Sequence, residues 1–247
     1  MTGFLASVRN LSEAMLAYRI GVDWIDLKEP SAGALGAVDQ QTVASVVEWL
    51  HSQSPEVSLS ATIGDCWEYP LLMPTRVKSL HEAGVEYVKI GAFAHSLSID
   101  FVQAINHCCS IGPRIILVCF AESPPTIDDI RTLATTAVSG VMLDTARKAG
   151  PSLMGLMSIK DLAGFVTEVH RHDLICGLAG SLVIDDVCCL SRLGADYLGF
   201  RGALCRNALR ESGFSEFAAA RVRDAIDRAD KSNEVSNLLD LETNEER

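Results

Sequence analysis

No apolar run in this 247-residue chain is long enough to span a bilayer. Its opening residues, MTGFLASVRN, lack the basic region and long apolar stretch of a secretion signal. The expectation is a soluble cytoplasmic protein with no membrane partner. Positive charge is scarce: 21 Lys and Arg against 32 Asp and Glu leave a net charge of −11. That argues against nucleic acid as a partner, although a local site in an acidic protein can still be basic and hold a small anion. No CxxC pair occurs among the eight cysteines, at 66, 108, 109, 119, 176, 188, 189 and 205. Without a secretion signal an even count does not make a disulfide framework, so they read as reduced and mostly buried small hydrophobes. The six histidines are scattered, and His170 and His172 fall at a helix end, so neither a metal site nor a cofactor is expected.

What the chain does have is alternation. Hydrophobic residues make up 48% of it, enough for a large core. Short apolar runs predict strands at 4–8, 24–28, 57–63, 87–91, 114–120, 140–144, 174–180 and 197–201. Helical patterns fall between them at 10–20, 39–52, 75–83, 98–109, 126–137, 158–171 and 184–193, with a last one at 213–228. Asp39, Thr126 and Asp185 are candidate N-caps, and Gly21, Gly84 and Gly194 candidate stops. Eight strand–helix units in this length predict a single (β/α)8 barrel over residues 1–228. A doubly wound sheet is the competitor, but it usually carries a glycine-rich turn after its first strand, and here that strand runs into VRNLSEA with no GxGxxG. Residues 229–247 are polar and acidic, and read as a frayed helix or a flexible tail. Barrels of this type often associate, so a homo-oligomer is an open expectation.

Side-chain parity then places charge inside the barrel. Successive strand residues point to opposite faces. In WIDLK, Ile25 and Leu27 suit the helix layer, which turns Asp26 and Lys28 inward. The same rule turns Lys89 inward in YVKIG, Asp144 in GVMLD and Arg201 in YLGFR. These are strands 2, 4, 6 and 8, and side chains of one barrel layer come from alternate strands. Lys28, Asp144 and Arg201 fall at strand C-terminal ends, the catalytic face of this fold, with Lys89 slightly deeper. Odd strands offer small polar groups: Ser58, Ser60 and Thr62.

Buried charges must be paired, so a purely structural network of Asp26, Lys28, Lys89 and Asp144 is one reading. Two lysines exceed what packing needs, and Lys148 follows in the loop after strand 6. A lysine partly withdrawn from water beside other cations holds its proton weakly and can attack a carbonyl to form a Schiff base. A second lysine or a carboxylate then moves protons. This is the apparatus of a metal-independent aldolase. The loops after strands 7 and 8, GLAGS and GFRGALC, suit a phosphate held on backbone N–H groups. Gly180, Ser181, Gly202 and Ala203 are the candidate donors and Arg201 the candidate charge, with Asp26 a further candidate substrate contact.

The blocks DLKEPSAGALGA, SATIGD, YVKIG, MLDTARKAG, CGLAGS and GFRGALC, in this order, resemble the (5-formylfuran-3-yl)methyl phosphate synthase family. The likeness runs to about residue 208. It departs after Lys28, where Glu29-Pro30-Ser31 stand, and in the AESPPTIDD segment after strand 5. The resemblance implies a Schiff-base lyase of furan-cofactor (methanofuran-type) biosynthesis that condenses two glyceraldehyde 3-phosphate molecules, with loss of phosphate and water. It implies Lys28 as the Schiff-base lysine, Lys89 as proton acceptor, and Asp144 and Lys148 as assisting residues. Another aldolase or isomerase acting on a sugar phosphate stays open, as does a non-catalytic phosphometabolite-binding barrel.

Overall fold

The computed structural model describes the backbone of residues 1–53, 57–66, 69–92, 97–147 and 150–245, and side chains through 234. The strands are β1 (Gly3–Val8), β2 (Trp24–Leu27), β3 (Ser58–Thr62), β4 (Tyr87–Gly91), β5 (Arg114–Phe120), β6 (Gly140–Asp144), β7 (Ile175–Leu178) and β8 (Tyr197–Phe200). Each pairs in parallel with the next, and β8 pairs with β1, so the sheet is a closed eight-stranded barrel. The helices are α1 (Leu11–Ile20), α2 (Gln40–His51), α3 (Met73–Glu82), α4 (Ile99–Ile111), α5 (Ile127–Ala134), α6 (Leu153–Leu156), α7 (Ile159–His170), α8 (Val187–Leu190) and α9 (Glu216–Glu245). This is the TIM-barrel architecture that the alternation predicts.

Local chemistry sets the element ends. Asp39 caps α2 through Thr42 N–H, and Thr126 forms a capping box with Asp129 on α5. The expected helix at 184–193 is instead α8 between two short 3-10 turns, Ile184–Asp186 and Ser191–Leu193. Asp185 is not the cap: Val183 is the N-cap residue of the first turn, and the Asp186 carboxylate reaches back to accept from its N–H at 2.8 Å. The last helix does not stop at 228. α9 runs on to Glu245, Ala229 is buried, and Asp230 accepts both of its bonds from Thr2 N–H, at 3.1 and 3.0 Å.

Two apolar layers result. Ile25, Leu27, Val88, Ile90, Leu117, Val141, Leu143 and Leu198 face the helices and belong to the main core. Inside the barrel, Leu5, Tyr87, Ile116, Val118, Met142 and Tyr197 form a second apolar cluster. Trp24 packs on Tyr87 and Tyr197 with ring centroids 4.4 and 5.0 Å away, and these rings plug the lower barrel. Gly177 is the packing partner that allows this, since a Cβ there would lie 2.4 Å from Tyr197 ring carbons. Five cysteines, Cys66, Cys108, Cys119, Cys176 and Cys205, are buried, and all eight are free thiols. Burial pushes Cys108 and Cys119 up to about 12, as suits inert core thiols. Among the described residues, no helix is long and apolar enough to cross a membrane.

Candidate active site

Above the aromatic plug the barrel opens into a cavity of about 270 Å³. Its floor is the inward face of β2 and β4. Lys89 Nζ lies 2.9 Å from Asp26 Oδ1, and both side chains are almost wholly buried, at 2% and 3% exposure. Asp26 also accepts from Ser60 Oγ at 2.7 Å and Ser7 Oγ at 3.2 Å. Burial by itself would raise the Asp26 carboxyl, but Lys89, Lys28 and Ser60 outweigh it and hold it below the usual carboxylate range. Burial pulls the Lys89 ammonium below the usual lysine range, with Asp26 opposing and Lys28 adding to the pull. Tyr197 presents its ring to Lys89 at 5.7 Å, and its own hydroxyl is pushed well up by burial.

A second pair sits nearer the mouth. Lys28 Nζ is 3.0 Å from Asp144 Oδ2, with side-chain exposures of 14% and 12%. Asp144 Oδ1 accepts from Thr145 N–H at 2.7 Å, which fixes the carboxylate at the end of β6. Strands 2, 4 and 6 thus deliver the inward charges that parity predicts, and the structure sorts them into Asp26–Lys89 below and Lys28–Asp144 above. Asp26 does not present a free carboxylate to a ligand: its oxygens hold Lys89, Ser60 and Ser7.

The seventh and eighth loops close the opposite wall. Gly180, Ser181, Gly202 and Ala203 all line the cavity. Gly180 (φ +111°) and Ser181 (φ +51°) are consecutive left-handed residues, and a Cβ on Gly180 would meet Thr145 N at 3.1 Å. Gly202 opens a 3-10 turn, Gly202–Leu204, whose N-cap residue Arg201 supplies no side-chain cap. Arg201 is turned inward, as parity predicts. Its guanidinium lines the cavity but is bound to the buried carboxylate of Glu13 and to the carbonyls of Ser7, Arg210 and Ser212. Its guanidinium is held by a carboxylate that it shares with Arg9. The unusual ψ of −64° at Arg201 turns the chain that follows it into the Gly202–Leu204 turn. Lys148 lies outside the described residues.

Three contributors carry no strand signature. Glu13 stands in the first turn of α1, just past β1, and pairs with Arg201 and Arg9. Glu122 follows β5 and accepts from Ala146 N–H at 3.0 Å and Arg147 N–H at 2.9 Å, so it fixes the chain just beyond Asp144. Arg210 lines the cavity from the long loop after β8 and donates to Gly33 O at 3.2 Å, across to the loop after β2. The nearest sequence signal was their position in the segments that follow strand C-terminal ends, where barrel sites are built.

A closed parallel barrel with one carboxylate-paired lysine on the cavity floor, another nearer its mouth, and glycine-rich seventh and eighth loops is the framework of a TIM-barrel enzyme. The chain belongs to the 4-HFC-P synthase family, whose family model matches residues 4–223. A Methylorubrum extorquens protein, named provisionally as a (5-formylfuran-3-yl)methyl phosphate synthase, is 37% identical over 226 residues, covering 90% of this chain and 89% of that protein. A (5-formylfuran-3-yl)methyl phosphate synthase of Methanococcus maripaludis is 31% identical, covering 85% of this chain and 92% of its own. Among solved structures, KGPDC from Streptococcus mutans superimposes with a TM-score of 0.63 at 18% identity, covering 92% of this chain and 98% of that one. The 3-hexulose-6-phosphate synthase of Salmonella typhimurium also gives 0.63, at 15% identity, covering 92% and 100%. At such low identity these two speak for the fold alone.

Proposed function

We propose that this chain condenses two molecules of glyceraldehyde 3-phosphate through a Schiff base on Lys28, forming (5-formylfuran-3-yl)methyl phosphate and releasing inorganic phosphate and water. The observation that carries the reading is the pairing of two lysines of different depth in one pocket, each against its own carboxylate. Lys28, the more accessible, is the nucleophile. Asp144, 3.0 Å from Nζ, takes the proton that the ammonium must lose before attack and returns it to the carbinolamine oxygen as water departs.

Lys89 is the base. Its lowered proton affinity suits it to remove a proton from the carbon beside the imine, leaving an enamine. The enamine carbon attacks the aldehyde carbon of the second triose, with Asp144 and Lys148 moving protons there. Loss of phosphate and water then leaves an aromatic ring, which makes the sequence effectively irreversible. Gly180, Ser181, Gly202 and Ala203 hold a substrate phosphate on backbone N–H groups. No metal or cofactor takes part in this scheme. Incubation with glyceraldehyde 3-phosphate alone, followed by mass analysis of products and assay of inorganic phosphate, tests it. The furan phosphate and equimolar inorganic phosphate are expected from the unaltered protein, and neither from Lys28→Ala. Lys28→Arg is expected to behave like the alanine variant, because a guanidinium keeps its proton.

A further inference from the structure

Four basic side chains line the described part of the cavity: Lys28, Lys89, Arg201 and Arg210. Lys28 faces Asp144, Lys89 faces Asp26, and Arg201 faces Glu13. Among the described residues, Arg210 makes no ion pair. One of its terminal nitrogens donates to Gly33 O at 3.2 Å, and its Nε is buried with no acceptor within reach. A buried N–H without an acceptor needs a reason, and a guanidinium in that state beside a cavity is half of an anion site.

The surroundings fix the backbone at this position. Arg201 Nε donates to the carbonyl of Arg210 at 2.8 Å, and Arg201 is itself tied to Glu13. The next residue, Glu211, gives its carbonyl to Arg9 at 3.0 Å. The ion-paired arginine is therefore a strut, and the one without an ion pair among the described residues stands at the cavity wall beside Ala208 and Leu209, with its far end on the loop that follows Lys28.

We infer that Arg210 binds the phosphate of the phosphomonoester substrate, the charge role that the strand pattern gave to Arg201. The planar guanidinium offers paired N–H donors that match two phosphate oxygens. The identity of the phosphoester as a triose phosphate rests on the function proposed above; the anion site does not.

The test titrates inorganic phosphate into the full-length protein by calorimetry, with Arg210→Gln and Arg210→Lys alongside and thermal unfolding confirming that each is folded. The unaltered protein binds phosphate, Arg210→Gln binds it about tenfold or more weakly, and Arg210→Lys falls between, having the charge without the fork. Affinity of Arg210→Gln within twofold of the unaltered protein overturns the inference, as does an unaltered protein that does not bind phosphate. Borohydride trapping with unphosphorylated glyceraldehyde separates this from the chemistry. Equal labelling of Lys28 in the unaltered protein and Arg210→Gln is expected, and absence of label in both counts against the Schiff base while leaving the phosphate titration to decide the site.

Discussion

Lys28 and Asp144 meet across the mouth of the barrel, Nζ to Oδ2 at 3.0 Å, from strands that are not neighbours in the sheet. The pair gives the nucleophile a proton acceptor in contact. Asp144→Asn keeps the shape and removes the acceptor. Imine formation is expected to slow by about 10²–10⁴-fold, as for loss of a positioned base. The rate of borohydride-trapped adduct, followed over time, checks this.

The lower pair is expected to matter for stability as well as for turnover. Lys89→Met leaves Asp26 buried without its partner, which costs about 3–5 kcal/mol. The double variant Asp26→Asn with Lys89→Met removes both charges and is expected to regain most of that loss while staying inactive. Urea unfolding of the three proteins measures it. A double variant as unstable as the single one would mean that the charges are not coupled as their 2.9 Å separation implies.

The direction of the Lys89 shift sets the sign of the pH dependence. A base must be neutral to act, so activity rises as pH rises through the Lys89 value. With that value lowered chiefly by burial, the rising limb is expected below the ordinary lysine value of about 10.4. Asp26 acts on stability. Its folded value is depressed, so its contribution is complete above the ordinary Asp value of about 3.9 and is lost as pH falls through the folded value. Asp26→Asn is expected to flatten the acid limb of a plot of stability against pH, read from unfolding midpoints.

Gly177 is expected to tolerate no side chain. A methyl group there would sit 2.4 Å from the Tyr197 ring, itself locked against Trp24. Gly177→Ala is expected to cost about 1–3 kcal/mol by overpacking, and to lower activity by tilting the ring that lies over Lys89. Thermal unfolding and turnover together check it.

Much of this site was legible in the sequence because a strand repeats every two residues. Once Ile25 and Leu27 are assigned to the helix layer, Asp26 and Lys28 have nowhere to point but inward, and the same holds for Lys89 and Asp144. The rule covers strands only. Arg201 is turned inward by it, but the partner Glu13 sits on a helix, where no two-residue period points to the site. Arg210 was still harder to see, because its place depends on a loop that folds back through Asn207 and Ala208, both at φ +56°. At the C-terminus the composition after 228 left a frayed helix and a flexible tail both open; the helix continues, with Ala229 buried and Asp230 bonded to Thr2.

The proposed chemistry turns on an imine between Lys28 and a triose phosphate. Incubation with glyceraldehyde 3-phosphate and borohydride, followed by peptide mass mapping, tests it directly. A reduced triose phosphate adduct is expected on the peptide that contains Lys28, and none in Lys28→Ala. A folded, unaltered protein that yields no adduct on that peptide would contradict the imine and make Lys28 and Asp144 a structural ion pair in a phosphate-binding barrel.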